Sequence, residues 1–399
     1  MTKKRSHGEG TVDTRGEDTH RLRYRVKGQR FTKTFHGTLT EARKELRRLL
    51  RTGDTGEHIA PDRITVGQWI QQWIAAGAPG RRKKRVGRRT LERYEQLLRV
   101  HVAQALGERP LQQLLPTEID ALYTELEEKI APMTAHHVHT VLGACLGTAV
   151  RKGLIPANPL TRAEKIPSAG EGDHGIALDE DELHRLLDGF KGSVMYPIVA
   201  VLALTGARRG EVLALRWSDL DVANKTLRIE RAVEQTKKHG LVFKEPKTAR
   251  GKRVFAIDDG LLTLLQAERE KALRFVAGVP TGAAIDLSLV KLPEGALMFP
   301  NPSGPGEEFS LVRPRNPRNT SKEIIRRFAK LGFPDLRLHD LRGTHETLLL
   351  DSGVPLHVVA ARGGQDPATV LRNYAKRTRK ADVSPAAAIG ELSKGILGS

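Results

Sequence analysis

Four short segments of this chain carry side chains suited to phosphate chemistry. In Thr205-Gly206-Ala207-Arg208-Arg209-Gly210-Glu211, Gly206 reads as a left-handed helix end, which sets Arg208 at the start of the next helix. A guanidinium beside helix amides suits a phosphate oxygen, and Glu211, one turn on, is placed to hold its fork. Glu245-Pro246-Lys247-Thr248-Ala249-Arg250-Gly251-Lys252-Arg253 reads as a turn between two strands. There Lys247 sits on a hairpin tip, as a group reaching into a groove or as an ordinary exposed lysine. In Leu338-His339-Asp340-Leu341-Arg342-Gly343-Thr344-His345, helical spacing puts His339 and Arg342 on one face, with His345 a further three along. That pairs a group titrating near neutrality with a fixed cation. A metal site from His339 and His345 lacks an acidic partner, so no metal is expected. Last, Gly363-Gly364-Gln365-Asp366-Pro367 is a turn followed by a good N-cap and first helical residue. It leads into a short helix bearing Tyr374. Taken singly, each segment also has an ordinary structural reading.

The chain that must position these groups has 399 residues, with 66 Lys and Arg against 47 Asp and Glu, a net charge of +19. That length predicts two or three domains. So large a positive surplus is offset most readily by a polyanion. Nucleic acid comes first, an anionic membrane surface second, and a merely basic protein remains the plain alternative. No apolar run nears the roughly 20 residues that cross a bilayer. The basic start, Met1 to His7, leads into no apolar stretch, so no secretory signal is expected. Cys145 is the only cysteine, which excludes an intramolecular disulfide and suits a reducing cytoplasm.

Periodicity divides the rest. Residues 20–26 alternate, with Leu22, Tyr24 and Val26 on one side and Arg21, Arg23 and Arg25 on the other. A second strand near Phe31–Phe35 and an amphipathic helix from Thr40 to Leu50 complete a small unit. Its arginine face could enter a major groove or simply be solvated. Residues 54–63 read as a linker. From Ile64 to Pro159 the pattern is helical, carried by Val66, Trp69, Ile70 and Trp73 and by later sets ending at Ala149. Between the first two of these helices lies a basic run with Arg81, Arg82, Lys83, Lys84, Arg85, Arg88 and Arg89. It reads as a DNA-backbone contact slightly ahead of solvated surface. A second linker, 168–173, precedes a mixed region. That region opens on a helix capped by Asp179 and Glu182, with another helix at Tyr196–Leu204. Strands are expected at 226–233, 241–243 and 253–257, and helices from Leu261 onward. Residues 279–320, rich in Gly and Pro, should be the least regular part.

Taken in order, Arg208, Lys247, His339, Arg342 and Tyr374 resemble the signature of tyrosine recombinases of the phage-integrase family. The local contexts agree, with Tyr374 nine residues after the family's third-histidine position. Gly107-Glu108-Arg109-Pro110-Leu111 and Gly153-Leu154-Ile155-Pro156-Ala157-Asn158-Pro159 are similar to the family's core-binding domain, and the first 53 residues to its three-stranded arm-binding domain. One position departs: Gln365 stands where the family usually has His or Trp. It can donate a hydrogen bond but cannot titrate.

The resemblance implies a multidomain α+β fold. Residues 1–55 would form an arm-type DNA-binding domain of three strands and a helix, and 64–162 an all-helical core-site domain. Residues 175–399 would form a mainly helical catalytic domain with a small antiparallel sheet and a C-terminal tail, including Ala386, Ile389, Leu392 and Ile396, that docks on a neighbour. It also implies a site-specific integrase acting on duplex DNA through a 3′-phosphotyrosyl intermediate. Arg208, Lys247, His339, Arg342, Gln365 and Tyr374 would be the catalytic groups, with Glu211 and His345 supporting them. No cofactor is implied, and no Walker-type loop is present. The implied partners are core and arm attachment sites, three further copies in a tetramer, and a directionality factor or host DNA-bending protein. A type IB topoisomerase and a catalytically silent DNA-binding scaffold are the alternatives.

Overall fold

The computed structural model describes residues 10–26, 28–54, 63–80, 85–170, 175–246, 249–280, 282–304, 306 and 308–377. Two compact units divide at residues 172 and 173.

The first unit opens with strands β1 (Thr11–Gly16), β2 (Thr19–Val26) and β3 (Gln29–His36), an antiparallel sheet in the order β1-β2-β3. Helix α1 (Leu39–Asp54) follows. The alternation in β2 sends Leu22 and Tyr24 into a core with Ala42, Leu46 and Leu49 of α1, while Arg23 and Arg25 are exposed. Tyr24 lies opposite Phe31 and stacks on it, ring centroids 5.7 Å apart. Cross-strand pairs of this kind fix register. Thr38 and Glu41 cap α1 reciprocally.

A separate helical core follows, from α2 (Val66–Ala75), α3 (Arg88–His101), α4 (Ala103–Leu106), α5 (Pro116–Lys129) and α6 (Pro132–Arg151). Its stripes of Trp69, Trp73, Leu97, Leu98, Tyr123, Leu142, Cys145 and Leu146 are buried together. Burial pushes the Cys145 thiol up, so this cysteine is a packing group and not a nucleophile.

The second unit contains α7 (Glu180–Phe190), α8 (Tyr196–Thr205) and α9 (Arg209–Val212). Asp179 and Glu182 form the capping box of α7. Helix α8 is apolar along nearly its whole length and is buried as the spine of the largest core. Strands β4 (Leu220–Asp221), β5 (Thr226–Ile229), β6 (Ala232–Thr236), β7 (Gly240–Lys244) and β8 (Arg253–Ala256) come next. They form two small sheets, β4-β5-β8 and β6-β7, where the sequence predicts one. The strand expected at 226–233 is two strands. The chain breaks at Glu230–Arg231, where the Arg231 guanidinium turns to Glu230 and to the buried carboxylate of Asp219, 2.6 Å away. The apolar phase of Leu227, Ile229 and Val233 is interrupted at that break by Arg231.

A second correction follows from the same topology. Strands β7 and β8 belong to different sheets, so the segment between them joins two sheets and does not close a hairpin. Beyond β8 come α10 (Asp259–Ala277), α11 (Pro317–Lys330), α12 (Leu338–Asp351), α13 (Leu356–Gly363) and α14 (Pro367–Arg377). Between α10 and α11, the irregular segment still buries Leu297, Met298, Phe299 and Leu311. Among the described residues, no helix is long and apolar enough to cross a membrane.

Candidate active site

Helix α8 ends on Gly206 at φ 63°, a left-handed conformation that favours glycine. A Cβ there would also lie 2.7 Å from Cδ2 of His345. The reversal delivers Arg208 as the extended N-cap of α9. Its backbone N–H and its Nη1 donate to the two oxygens of Glu211, each at 2.9 Å. Arg253, on β8, donates Nη2 to the same carboxylate at 2.9 Å and Nε to the Arg362 carbonyl at 2.7 Å. Burial alone would push the Glu211 carboxyl up. The hydrogen bond and charge of Arg253, with the Arg208 N–H and charge, hold it below the usual carboxylate range. Glu211 and Arg253 are almost fully buried, whereas 43% of the Arg208 side chain is exposed. The clamp is inside and the free edge of Arg208 faces outward.

Arg342 lies in the first half of α12 and is buried. Nη1 donates to the Gly206 carbonyl at 2.9 Å, Nη2 to the Gly363 carbonyl at 2.8 Å, and Nε to Glu346, one turn on, at 2.9 Å. Burial pulls this guanidinium down to about 10, with Glu346 opposing, so it remains a cation at neutral pH. Arg208 Nη2 reaches the neighbouring Gly364 carbonyl at 3.5 Å. The two arginines therefore meet at one turn, Gly363-Gly364. Gly364 has φ 61°, and a Cβ there would lie 2.7 Å from the Arg250 carbonyl.

His339 is exposed in the first turn of α12, beside Asp340, whose buried carboxylate caps the helix through the Arg337 N–H. His345 is a strut. Its Nε2 accepts from Arg362 Nε at 3.2 Å, and its ring bonds the Ala203 backbone. Burial, then the Arg362 and Arg342 charges, pushes its pKa down to about 3, so it is neutral. It supports the Gly206 turn and is not an exchangeable proton carrier for His339.

Gln365 follows the Gly-Gly turn, but its amide nitrogen donates to Glu346 Oε1 at 2.6 Å, committing one of its two hydrogens inside the protein. The Tyr374 hydroxyl donates to Asp351 Oδ1 at 2.8 Å. Asp351 is nine positions beyond Arg342 in α12, which is half a turn round and about 13 Å along the axis. The structure thus unites Arg208, Arg342 and Gln365 and holds the Tyr374 hydroxyl at the far end of α12. That hydrogen bond, with some burial, raises the phenol pKa.

Lys247 lies outside the described residues, as do Arg81, Arg82, Lys83, Lys84 and the tail. Of the other basic candidates, Arg21 is half-buried, Arg23 pairs with Asp13 at 3.2 Å, and Arg25, Arg85, Arg88 and Arg89 are exposed. Arg88 and Arg89 open α3, whose first turn has no acidic residue. Sequence reasoning missed Arg253, Glu346, Asp351 and Arg362. Only Glu346 left a local signal, as an i,i+4 partner of Arg342.

Comparison with known proteins places this geometry in context. The phage integrase family matches residues 177–380, and the phage integrase central domain matches 66–165. An integrase of Streptomyces ambofaciens is 26% identical over 393 residues, covering 95% of each chain. A XerC-like tyrosine recombinase of Caldanaerobacter subterraneus is 24% identical, covering 87% of this chain and 88% of its own. Among solved structures, a Tn1549 transposon integrase in complex with a circular intermediate DNA superposes with TM-score 0.59 at 18% identity, over 80% of this chain and 98% of its own. A lambda integrase tetramer bound to a Holliday junction gives 0.53 at 15%, over 92% and 96%.

Proposed function

This chain belongs to the phage integrase family, and we propose that Tyr374 is the nucleophile with which it cuts and rejoins DNA. It is a tyrosine site-specific recombinase of a phage or other mobile element. The observation that carries the assignment of residues is the meeting of Arg208 and Arg342 at the Gly363-Gly364 turn. Among the described residues, Arg208 and Arg253 pair with Glu211, and Arg342 pairs with Glu346.

In this reading the exposed edge of Arg208 and the N–H groups of Arg342 left over from its three internal bonds hold the non-bridging oxygens of the scissile phosphate. Charge grows on those oxygens as the pentavalent state forms, so fixed donors lower the barrier. The Tyr374 oxygen loses its proton and attacks phosphorus, and the bond to the 5′ oxygen breaks. By family resemblance, Lys247 protonates that leaving oxygen and His339 assists proton transfer. The product is a 3′-phosphotyrosyl link with a free 5′ hydroxyl. The 5′ hydroxyl of a partner strand reverses the step. Phosphodiester energy is conserved, so no nucleotide is consumed. Attack requires the Tyr374 hydroxyl to leave Asp351.

The domains divide the DNA between them. Residues 1–55 would take arm sites through Arg21, Arg23 and Arg25, and 64–162 the core site through the basic run at 81–89. A cation in the first turn of a helix opposes the macrodipole, so Arg88 and Arg89 on α3 favour an anion nearby. Residues 175–399 would carry the chemistry, with four protomers on two sites and a directionality factor or DNA-bending protein as accessory. Tyr374→Phe tests the reading on a core site nicked beside the scissile phosphate. Covalent adducts should vanish while site binding stays within about threefold, since only the hydroxyl is lost. Adducts formed by the Phe variant would refute the nucleophile.

A further inference from the structure

A buried carboxylate that touches no DNA in this scheme sits between two of the groups that would. Glu346 is 4% exposed, and its Oε1 accepts from both Arg342 Nε, at 2.9 Å, and Gln365 Nε2, at 2.6 Å. We infer that Glu346 is a positioning residue that aims two phosphate donors at once, the Arg342 guanidinium and the Gln365 amide. The inference rests on the strand-transfer reading above and assigns how its phosphate receptor is aligned.

Counting hydrogens supports it. A guanidinium has five N–H groups. In Arg342 three go to acceptors with no freedom of their own: the Gly206 carbonyl at the end of α8, the Gly363 carbonyl at the end of α13, and Glu346 on the same helix. The plane and roll of the group are fixed, and two N–H groups remain for a phosphate. The Gln365 amide has two hydrogens. With one held by Glu346, the other has a defined direction from the turn that Arg342 and Arg208 already bind. A loose amide would have to be oriented during the reaction, at a cost in rate. Glu346 also explains how a neutral side chain serves where Gln365 stands. Direction comes from a fixed anion, with no titration involved.

The test compares single-turnover cleavage of the nicked core site with binding of the intact site. Glu346→Gln keeps volume and one acceptor but loses the charge that grips both donors. Cleavage should slow by about tenfold or more, as for loss of alignment of an oxyanion donor. Binding should stay within about threefold, because removing an anion near a phosphate does not weaken attraction. A general structural defect would lower both together. Gln365→Ala should cost much less in the Glu346→Gln background than in the wild type, since the two act as a unit. Gln365→Glu, on a turn, checks the same contact without altering Glu346. Its carboxyl would sit against the Glu346 carboxylate and need a proton to donate, so cleavage should shift to lower pH. Wild-type cleavage rates in Glu346→Gln, equal costs of Gln365→Ala in both backgrounds, or an unshifted pH profile for Gln365→Glu would overturn the inference alone. Absence of any adduct from the wild type would overturn the strand-transfer reading with it.

Discussion

Arg342 and Tyr374 illustrate two different relations between a functional side chain and its surroundings. Arg342 is locked by three fixed acceptors. The Tyr374 hydroxyl donates to a carboxylate that is itself poorly placed, because Asp351 ends α12 and an anion at a helix C-terminus opposes the macrodipole. Removing that carboxylate should therefore free the hydroxyl from this bond without loss of stability. We expect Asp351→Ala to leave the thermal midpoint unchanged and to cleave a nicked core site about three- to tenfold faster, a charge-assisted hydrogen bond being worth about 1.5–3 kcal/mol before solvent screening. Slower cleavage by a fully folded variant would show that Asp351 assists Tyr374. At this scale the sequence revealed Gly206 and the Glu211 clamp on Arg208, because both depend on spacings of a few residues. Arg253 and Asp351 were hidden, since the contacts that bring them to the site come from distant segments.

At the scale of elements, three helix ends converge on the candidate site: the C-terminus of α8, the N-terminus of α12 and the C-terminus of α13. His345 ties two of them, packing under Gly206 and accepting from Arg362. Its folded pKa, about 3, lies below the ordinary histidine value. The contribution to stability is therefore complete above about pH 6.5 and is lost as pH falls toward 3, because the unfolded chain takes up the proton first. Thermal midpoints measured between pH 7 and 5.5, before most carboxylates titrate, should fall in the wild type and fall less in His345→Asn. Equal slopes would mean that His345 is not held neutral. Helices were legible from capping boxes and apolar stripes, as at Asp179 and Trp69. The split of residues 226–233 into β5 and β6 was marked only by Arg231 on the apolar phase of Leu227, Ile229 and Val233, and its cause, the turn of Arg231 to Asp219, lies in a separate segment.

The whole molecule separates its tasks along the chain. The sheet-plus-helix core of Leu22, Tyr24, Ala42, Leu46 and Leu49 contains no residue of the helical core of Trp69 and Leu142, and neither contains a residue of the candidate site. Composition pointed to a polyanion from the +19 charge alone, but only the joint order of Arg208, Lys247, His339, Arg342 and Tyr374 pointed to strand exchange. Removing residues 1–60 should spare core-site cleavage and abolish arm-site binding. Core affinity should still fall with salt, by a log–log slope of about 0.9 per neutralised phosphate. Arm DNA still bound by the truncated protein would contradict the role given to Arg21, Arg23 and Arg25. Whether Tyr374 takes the phosphate is read by trapping the adduct on a nicked core site, digesting it, and sequencing the DNA-linked peptide by mass spectrometry. A 3′-phosphate esterified to the Tyr374 oxygen is expected, and a phosphate on any other side chain would refute the assignment.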